Sequence, residues 1–483
     1  MKKTPVFILL AALCMCAFCG CDMSIENANT PASAEKAGVI ELNGSSAKSK
    51  AGGVNVSGST VTISAAGTYS VRGTLDDGQI VVDTGEDAGK VNLILDGADV
   101  TCLSGPAIWV KQAKKLDLVV ADGSKNALTS GVESDMAKCG ENASGGAIYA
   151  EDDLDIECDG RGKLDIFGYI NSGIVCKDDL DIKCGECELN IVSANNGVKG
   201  SESVTVSGGV IAVDAGHDGI KATSADKAGK GFVTVSGGVI EVKAGGDGIA
   251  AETELTVSGG VISVKTEGDA DSASCKALKA KTGINISGGV LTLDSADHAV
   301  HSAAGLTVSG GAFEIKSAGK GFAAHGDMSF SGGTFVLNTA DDGMETKGDI
   351  SFSGGAFEIV SGADGVKAGE KNSGVGSVKI GGGSVLITAC GDPFDAQDEL
   401  TVSGGSVFAA GSSKRVKGFS ESSTQRFAVC EVSGAAGSTV KAGKDSLEAK
   451  YAYNLVLYSA PELNVGSEIE ISSGTKTVTA AVK

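Results

Sequence analysis

A tripeptide that returns at a fixed interval constrains this chain more than any other feature. From residue 207 on, Ser-Gly-Gly occurs at Ser207, Ser236, Ser258, Ser287, Ser309, Ser331, Ser353 and Ser403, at spacings of 29, 22, 29, 22, 22, 22 and 50 residues. Gly381-Gly382-Gly383 divides the last interval into 28 and 22, so the base period is 22 with three insertions of six or seven residues. A period of that length without a helical pattern predicts a solenoid whose units stack, not a string of separate domains.

One unit shows how such a coil is built. Val204-Thr205-Val206 alternates apolar and polar residues, Ser207-Gly208-Gly209 turns the chain, and Val210-Ile211-Ala212-Val213 resumes a β-branched strand. A second turn, Ala215-Gly216-His217-Asp218-Gly219, leads into the short strand Ile220-Lys221-Ala222. Glycine suits turns that need positive φ. Three short strands per turn predict an all-β fold, a right-handed parallel β-helix of triangular section. Eleven or twelve coils between about residues 145 and 420, stacked about 4.8 Å apart, would make a rod of roughly 55 Å. A leucine-rich repeat lacks its Leu/Asn framework here, and a calcium nonapeptide roll has the wrong period.

The flanks are less regular. Residues 51–144 are β-rich without the triplet and are expected to form irregular first coils. Residues 421–483 are expected to cap the far end and cover an edge that would otherwise invite aggregation. Residues 21–50, rich in Ser, Ala, Asn and Lys, are read as a flexible tether.

That tether would hang from a lipid. Lys2 and Lys3 precede an apolar run, Val6 to Phe18, too short to span a bilayer. The run ends at Cys19-Gly20-Cys21, and only Cys21 follows a small residue, as lipoprotein processing requires. Residues 1–20 are therefore expected to be removed and Cys21 acylated, placing the protein in the bacterial cell envelope with no other membrane contact. Loss of Lys2 and Lys3 takes the net charge from −21 to −23. A chain so acidic has no basic stripe for phosphates, which excludes most nucleic-acid roles. It is expected to be monomeric.

Nine cysteines remain beyond Cys21, too few and too unevenly placed for a disulfide scaffold. Cys184-Gly-Glu-Cys187 has metal or redox spacing but falls where other coils turn. Cys158 and Cys184 both follow Asp-Ile-x and could stack on adjacent coils, within reach of a disulfide.

Several stretches resemble one family. They include Ala66-Gly67-Thr68-Tyr69 with Gly73-Thr74-Leu75, Gly78 to Asp83, Val91 to Gly97, Asp178-Asp179-Leu180-Asp181-Ile182 and Gly245-Gly246-Asp247-Gly248-Ile249. Val402-Ser403-Gly404-Gly405 with Ala409 to Ser413 extends the likeness. Together, over roughly residues 50 to 475, they are similar to the bacterial carbohydrate-binding β-helix proteins with a pectate-lyase-like fold. The resemblance implies binding of cellulose or polygalacturonate, and bound calcium. Several coils lack the family's Asp-Gly pair.

In a solenoid a repeated position becomes a ladder. One ladder, before the third strand, reads Asn196, Asp218, Asp247, His298, Lys320, Asp342, Asp364 and Asp392. Closely spaced carboxylates repel unless a cation separates them, and hard oxygen donors suit Ca²⁺, which takes six to eight. Asp218, Asp247, Asp342 and Asp364 are therefore calcium candidates, as are Asp269 and Asp271 in one insertion. Asp-Gly also simply favours a tight turn. A second acidic set precedes the first strand; its paired members Asp152, Asp153, Asp178 and Asp179 sit at matching places on successive coils and are the next candidates. Two residues after the Gly comes a basic row: Lys199, Lys221, Lys279, His301 and Lys367. Outward lysines at regular spacing could hold the carboxylates of an acidic sugar chain, or could form weak ion pairs with neighbouring Asp. Tyr149 and Tyr169 are candidate stacking residues, whereas Trp109, between Ile108 and Val110, is read as part of a buried strand. The insertions Thr223–Gly231, Gly268–Ser274 and Gly369–Gly376 all flank the third strand, as expected of a binding face.

These features favour a surface lipoprotein that binds a polysaccharide, acidic and pectin-like in preference to cellulose, with calcium. A calcium-dependent polysaccharide lyase, with Lys221 or Lys367 as base, is the enzymatic alternative. A structural or adhesive protein without a sugar ligand is the third reading.

Overall fold

The computed structural model describes residues 37–85, 89–138, 145–270, 274–370, 374–412 and 418–483, and the body considered below is Gly38–Lys483. The chain winds into a β-solenoid of about 13 turns. Three faces correspond to the three strands of each coil. Face 1 holds strands ahead of the Ser-Gly-Gly corner, such as Phe232–Val235, Glu254–Val257 and Gly283–Ile286. Face 2 holds those after it, such as Val239–Ala244, Val261–Thr266 and Val290–Ser295. Face 3 is a 15-stranded sheet whose later members are three residues long, among them Ile220–Ala222, Ile249–Ala251 and Leu278–Ala280. Faces 1 and 2 merge into one 28-stranded sheet because Asp179–Ser193 and Ser203–Ala215 run through the corner unbroken.

Parallel pairing in register turns sequence positions into columns. On face 2, Ile211 pairs with Ile240, then Ile262, Leu291, Phe313, Phe335 and Phe357 follow coil by coil. Every one of these side chains is at most 2% exposed, and burying each contributes about 1.5–3 kcal/mol. The three phenylalanines stack with centroid separations of 4.7 and 4.3 Å, and Phe322 and Phe330 meet them edge-on. Alternation of period two therefore sends one set of residues inward and leaves the other free to vary.

Both glycines of the repeated corner are required. The second has φ of +92° at Gly238 and Gly260 and +95° at Gly333, where a side chain would be strained. The first has no room for one: a Cβ at Gly237 would lie 2.6 Å from the carbonyl oxygen of Ser207 on the preceding coil. Coil spacing itself thus selects Ser-Gly-Gly.

The solenoid begins earlier than residue 50. Gly38–Gly44 pairs in parallel with Gly67–Leu75 and antiparallel with Ser46–Ser49, burying Ile40 and Leu42. This corrects the tether reading for residues 38–50: the alternation Val39-Ile40-Glu41-Leu42 outweighs the Ser/Ala/Lys-rich surroundings. At the other end, Leu455–Ser459 pairs antiparallel with both Ser406–Gly411, the last strand of face 2, and Phe427–Cys430. A four-stranded antiparallel sheet from Thr439–Ala442 to Lys476–Ala481 adds a second apolar cluster around Val440, Tyr453 and Ile471.

Candidate functional site

Face 3 presents one outward side chain per coil at the middle of each short strand. In register these are Trp109, Tyr149, Val175, Lys199, Lys221, Ala250, Lys279, His301, Ala323, Glu345, Lys367 and Asp395. Four of the proposed ligand-binding residues, Lys199, Lys221, Lys279 and Lys367, lie on this one row with Tyr149. Tyr169 does not join them; it follows face 2 and stacks on Phe167 at 5.5 Å. Trp109 corrects the sequence reading. Ile108 and Val110 point into the core, and the same alternation turns Trp109 outward, partly exposed and paired with Tyr149 on the next coil.

The Asp-Gly ladder proves to be a capping row. Asp218 Oδ1 accepts the Asp247 N–H at 2.8 Å, and Oδ2 takes the Lys221 ammonium at 2.6 Å. Asp247 Oδ1 accepts the Lys276 N–H at 3.0 Å and the Ser274 hydroxyl at 2.6 Å; its Oδ2 takes Lys279 at 2.7 Å. Asp342 Oδ1 accepts the Asp364 N–H at 2.9 Å, with Lys367 3.3 Å from Oδ2, and Asp364 Oδ1 accepts the Asp392 N–H at 2.8 Å. Each carboxylate thereby satisfies a backbone donor one coil further on. Burial works against ionisation of Asp218, but His217 and Lys221 outweigh it and hold the carboxyl well below its usual range. Asn196 performs the same capping for the Asp218 N–H at 3.3 Å, without a charge.

The second acidic set is closed by an insertion. Asp152 Oδ2 accepts the Ala113 N–H at 2.8 Å, and Asp153 Oδ1 accepts the Asp179 N–H at 3.3 Å. Asp179 accepts the Ser203 hydroxyl at 2.6 Å and Lys230 at 2.7 Å. Glu202 pairs with Lys227 and, at 2.9 Å, with Lys230, both carried by the Thr223–Gly231 insertion. Burial and the adjoining Glu202 carboxylate push Asp178 up to about 6. In the insertion at 268–274, Asp269 is exposed and Asp271 lies outside the described residues, as does Cys21.

A carboxylate cluster escaped the sequence reading. On face 1, Asp117, Asp155 and Glu157 bring one oxygen each to within 4.8 Å of one another. Asp117 is 3% exposed; its Oδ2 pairs with Lys90, while its Oδ1 has no hydrogen-bond partner. Asp155 pairs with Lys115 and Lys183, each at 2.7 Å. The recurrence of Leu-Asp-Leu or Leu-Asp-Ile at 116, 154 and 180 was the available signal.

Towards the C-terminal end of face 3 lies a cavity of about 370 Å³ lined by His298, His301, His325, Lys320, Glu345 and Lys367, among others. Glu345 bridges Lys320 at 2.7 Å and Lys367 at 2.5 Å. Burial and the positive charge of Lys276 lower His301 to about 4, so it is neutral at pH 7. His298 is likewise lowered by burial, and its Nδ1 accepts the Lys320 N–H at 3.1 Å. Cys158 and Cys184 are free thiols, with Cys187 hydrogen-bonded to both, so no Cys158–Cys184 disulfide is present.

The chain is thus a parallel β-solenoid with an outward row along its third face and an open cavity towards the C-terminal end of that face. Residues 57–321 and 318–482 each match the family described as carbohydrate-binding domain-containing protein, and the chain belongs to that family. A carbohydrate-binding domain-containing protein of Acetivibrio thermocellus is 36% identical over 125 residues, 26% of this chain and 43% of the relative, so the match spans under half of that relative's length. A solved structure described as a polysaccharide lyase-like protein from C. thermocellum, a gadolinium derivative, is 32% identical and covers 48% of this chain and 92% of its own, with a TM-score of 0.43. Family membership supports polysaccharide binding in general.

Proposed function

We propose that this protein is a non-catalytic receptor for an acidic polysaccharide, which it holds along face 3. The carrying observation is the in-register row from Trp109 to Lys367, which sets aromatic and cationic groups at the coil repeat of about 4.8 Å. A repeating rod matches a repeating polymer. Tethering through Cys21 to the bacterial cell envelope, as a monomer, would keep the captured chain at the cell.

Calcium fits this reading at the Asp117, Asp155 and Glu157 cluster. Three hard oxygen donors converge there, and the buried Asp117 Oδ1 has no partner. At the cluster Lys90, Lys115 and Lys183 pair with the same carboxylates and would have to swing aside for the ion, whereas the capping aspartates are committed to backbone N–H groups that cannot move away.

A lyase needs a base that is unprotonated near neutral pH. Lys367 is the opposite: burial acts to lower it, but Glu345 and Asp342 prevail and raise it. Lys221 is engaged by Asp218 at 2.6 Å. The deciding experiment follows polygalacturonate binding by the full chain, with calcium and then with excess chelator, while absorbance is read for unsaturated products. Binding without rising absorbance is expected. Rising absorbance would establish a lyase, and no binding in either condition would end the acidic-glycan reading.

A further inference from the structure

The lysines of face 3 are not equivalent, and the difference locates a subsite. Lys221 pairs with the ladder Asp of its own coil, Asp218, at 2.6 Å, while Lys279 and Lys367 reach back to those of the preceding coil, Asp247 and Asp342, at 2.7 and 3.3 Å. Around Lys199 neither ladder residue is charged: its own coil carries Asn196, which caps the next coil, and the preceding coil carries Ser172. Among the described residues Lys199 has no carboxylate within ion-pair distance. It is half-buried, and burial together with the charges of Lys177 and Lys221 lowers it. Lys177 and Lys111, exposed on the same face, likewise form no ion pair.

These unpaired cations surround the aromatic start of the row. Lys111 Nζ stands 4.4 Å from the Trp109 ring centroid and Lys177 Nζ 6.0 Å from that of Tyr149. Trp109 and Tyr149 are register partners, followed by buried Val175 and then Lys199. Glu151 belongs to the same patch, hydrogen-bonded to the Tyr149 hydroxyl. In a chain of net charge −21, three neighbouring lysines that form no ion pair among the described residues, with Glu151 in register between Lys111 and Lys177, mark a place that takes an anion from outside. Aromatic side chains beside them offer apolar surface to the C–H face of a sugar, and Glu151 an acceptor for its hydroxyls.

We propose that Trp109, Tyr149, Lys177 and Lys199 form a subsite for a carboxylate-bearing pyranose, the carboxylate lying between Lys177 and Lys199. This rests on the acidic-glycan reading and fixes where along the rod the charge is read. The cavity by Glu345, whose lysines are already neutralised, would then contribute little to charge recognition.

The test uses the full chain with a galacturonate oligomer and its methyl ester, a neutral probe of nearly the same shape, in titration calorimetry at low salt. Wild-type protein is expected to prefer the acid. K177Q/K199Q should lose about tenfold or more for the acid and little for the ester. W109L should weaken both, and K316Q, on the exposed side of face 2, neither. Circular dichroism of each variant confirms that the surface changes leave the fold intact. Acid binding unaffected by K177Q/K199Q, or lost equally in K316Q, would overturn the subsite while leaving the acidic-glycan reading intact. Wild-type binding of neither probe, or of both equally, would remove the acidic-glycan reading and the subsite with it.

Discussion

Replacing Asp218 by Ala tests whether the capping ladder is a structural device or a set of calcium ligands. The side chain is 3% exposed and meets the Asp247 N–H, the Lys221 ammonium and, at 3.4 Å, the His217 ring. Truncation leaves a buried N–H unsatisfied, about 1–3 kcal/mol. It also strands Lys221, whose side chain is 31% exposed and rehydrates in part. The total expected is therefore about 3–4 kcal/mol, within the range for breaking one side of a buried pair. Asp218→Asn keeps an acceptor for the N–H, as Asn196 shows one coil earlier, and should cost roughly half as much. Guanidinium denaturation followed by circular dichroism, with calcium and with chelator, measures both variants. The losses should be the same in the two conditions. A D218A penalty that vanishes under chelator would mean that Asp218 stabilises the coil through a bound cation, and the capping explanation would fail. The pH dependence gives a second check. The folded-state pKa is depressed, so the contribution is present above the unfolded carboxylate value of about 3.9 and lost only as pH falls through the lower, folded one.

Further outcomes follow from the same geometry. Phe335→Ala should destabilise by about 3–5 kcal/mol, because the ring is stacked on both sides at 4.7 and 4.3 Å; a chemical denaturation midpoint close to wild type would contradict the columnar core. Gly333→Ala should cost about 1–3 kcal/mol, since φ is +95° and the new Cβ would lie 2.9 Å from the carbonyl of Gly311; an unshifted melting temperature would show that the corner can relax. Calcium should raise the melting temperature of the wild type and not that of Asp117→Asn; equal shifts would place the ion elsewhere. Among the described cysteines only Cys390 is exposed, so on the native protein it should form a maleimide adduct faster than the other described cysteines, as peptide mapping would show.

The solenoid was legible because its cause is local and periodic. Ser-Gly-Gly recurs wherever one coil crowds the corner of the next, and the apolar columns recur because each coil buries the same positions. What was not legible depends on which residues meet across coils of irregular length. Trp109 and Tyr149 are 40 residues apart in sequence, almost twice the base period, so their register as neighbours could not be counted from the repeat. The alternation Ile108-Trp109-Val110 did state that Trp109 faces opposite to its neighbours. Only the burial assigned to Trp109 was mistaken. Likewise Asp218 looked like a free oxygen donor until the next coil's N–H was placed against it.

The same two-sidedness explains how a monotonous core can support a specific surface. Inward positions are fixed by packing, and a wrong volume there is felt by every coil it touches. Outward positions on face 3 meet no such constraint, yet they are not random: an aromatic and basic stretch at Trp109 to Lys199 gives way to self-neutralised pairs at Lys221, Lys279 and Lys367. The switch is controlled one residue at a time by the capping ladder. An Asp at that position caps the next coil and pairs a lysine of its own coil, as Asp218 does with Lys221, or of the next one, as Asp247 and Asp342 do with Lys279 and Lys367, whereas Asn196 caps without a charge. Introducing a carboxylate at Asn196 should therefore pair Lys199 internally without disturbing the fold. Asn196→Asp is expected to match wild type in melting temperature and to weaken acidic-oligomer binding about as much as K199Q alone. Full affinity in N196D would show that the ladder does not set the charge on this face.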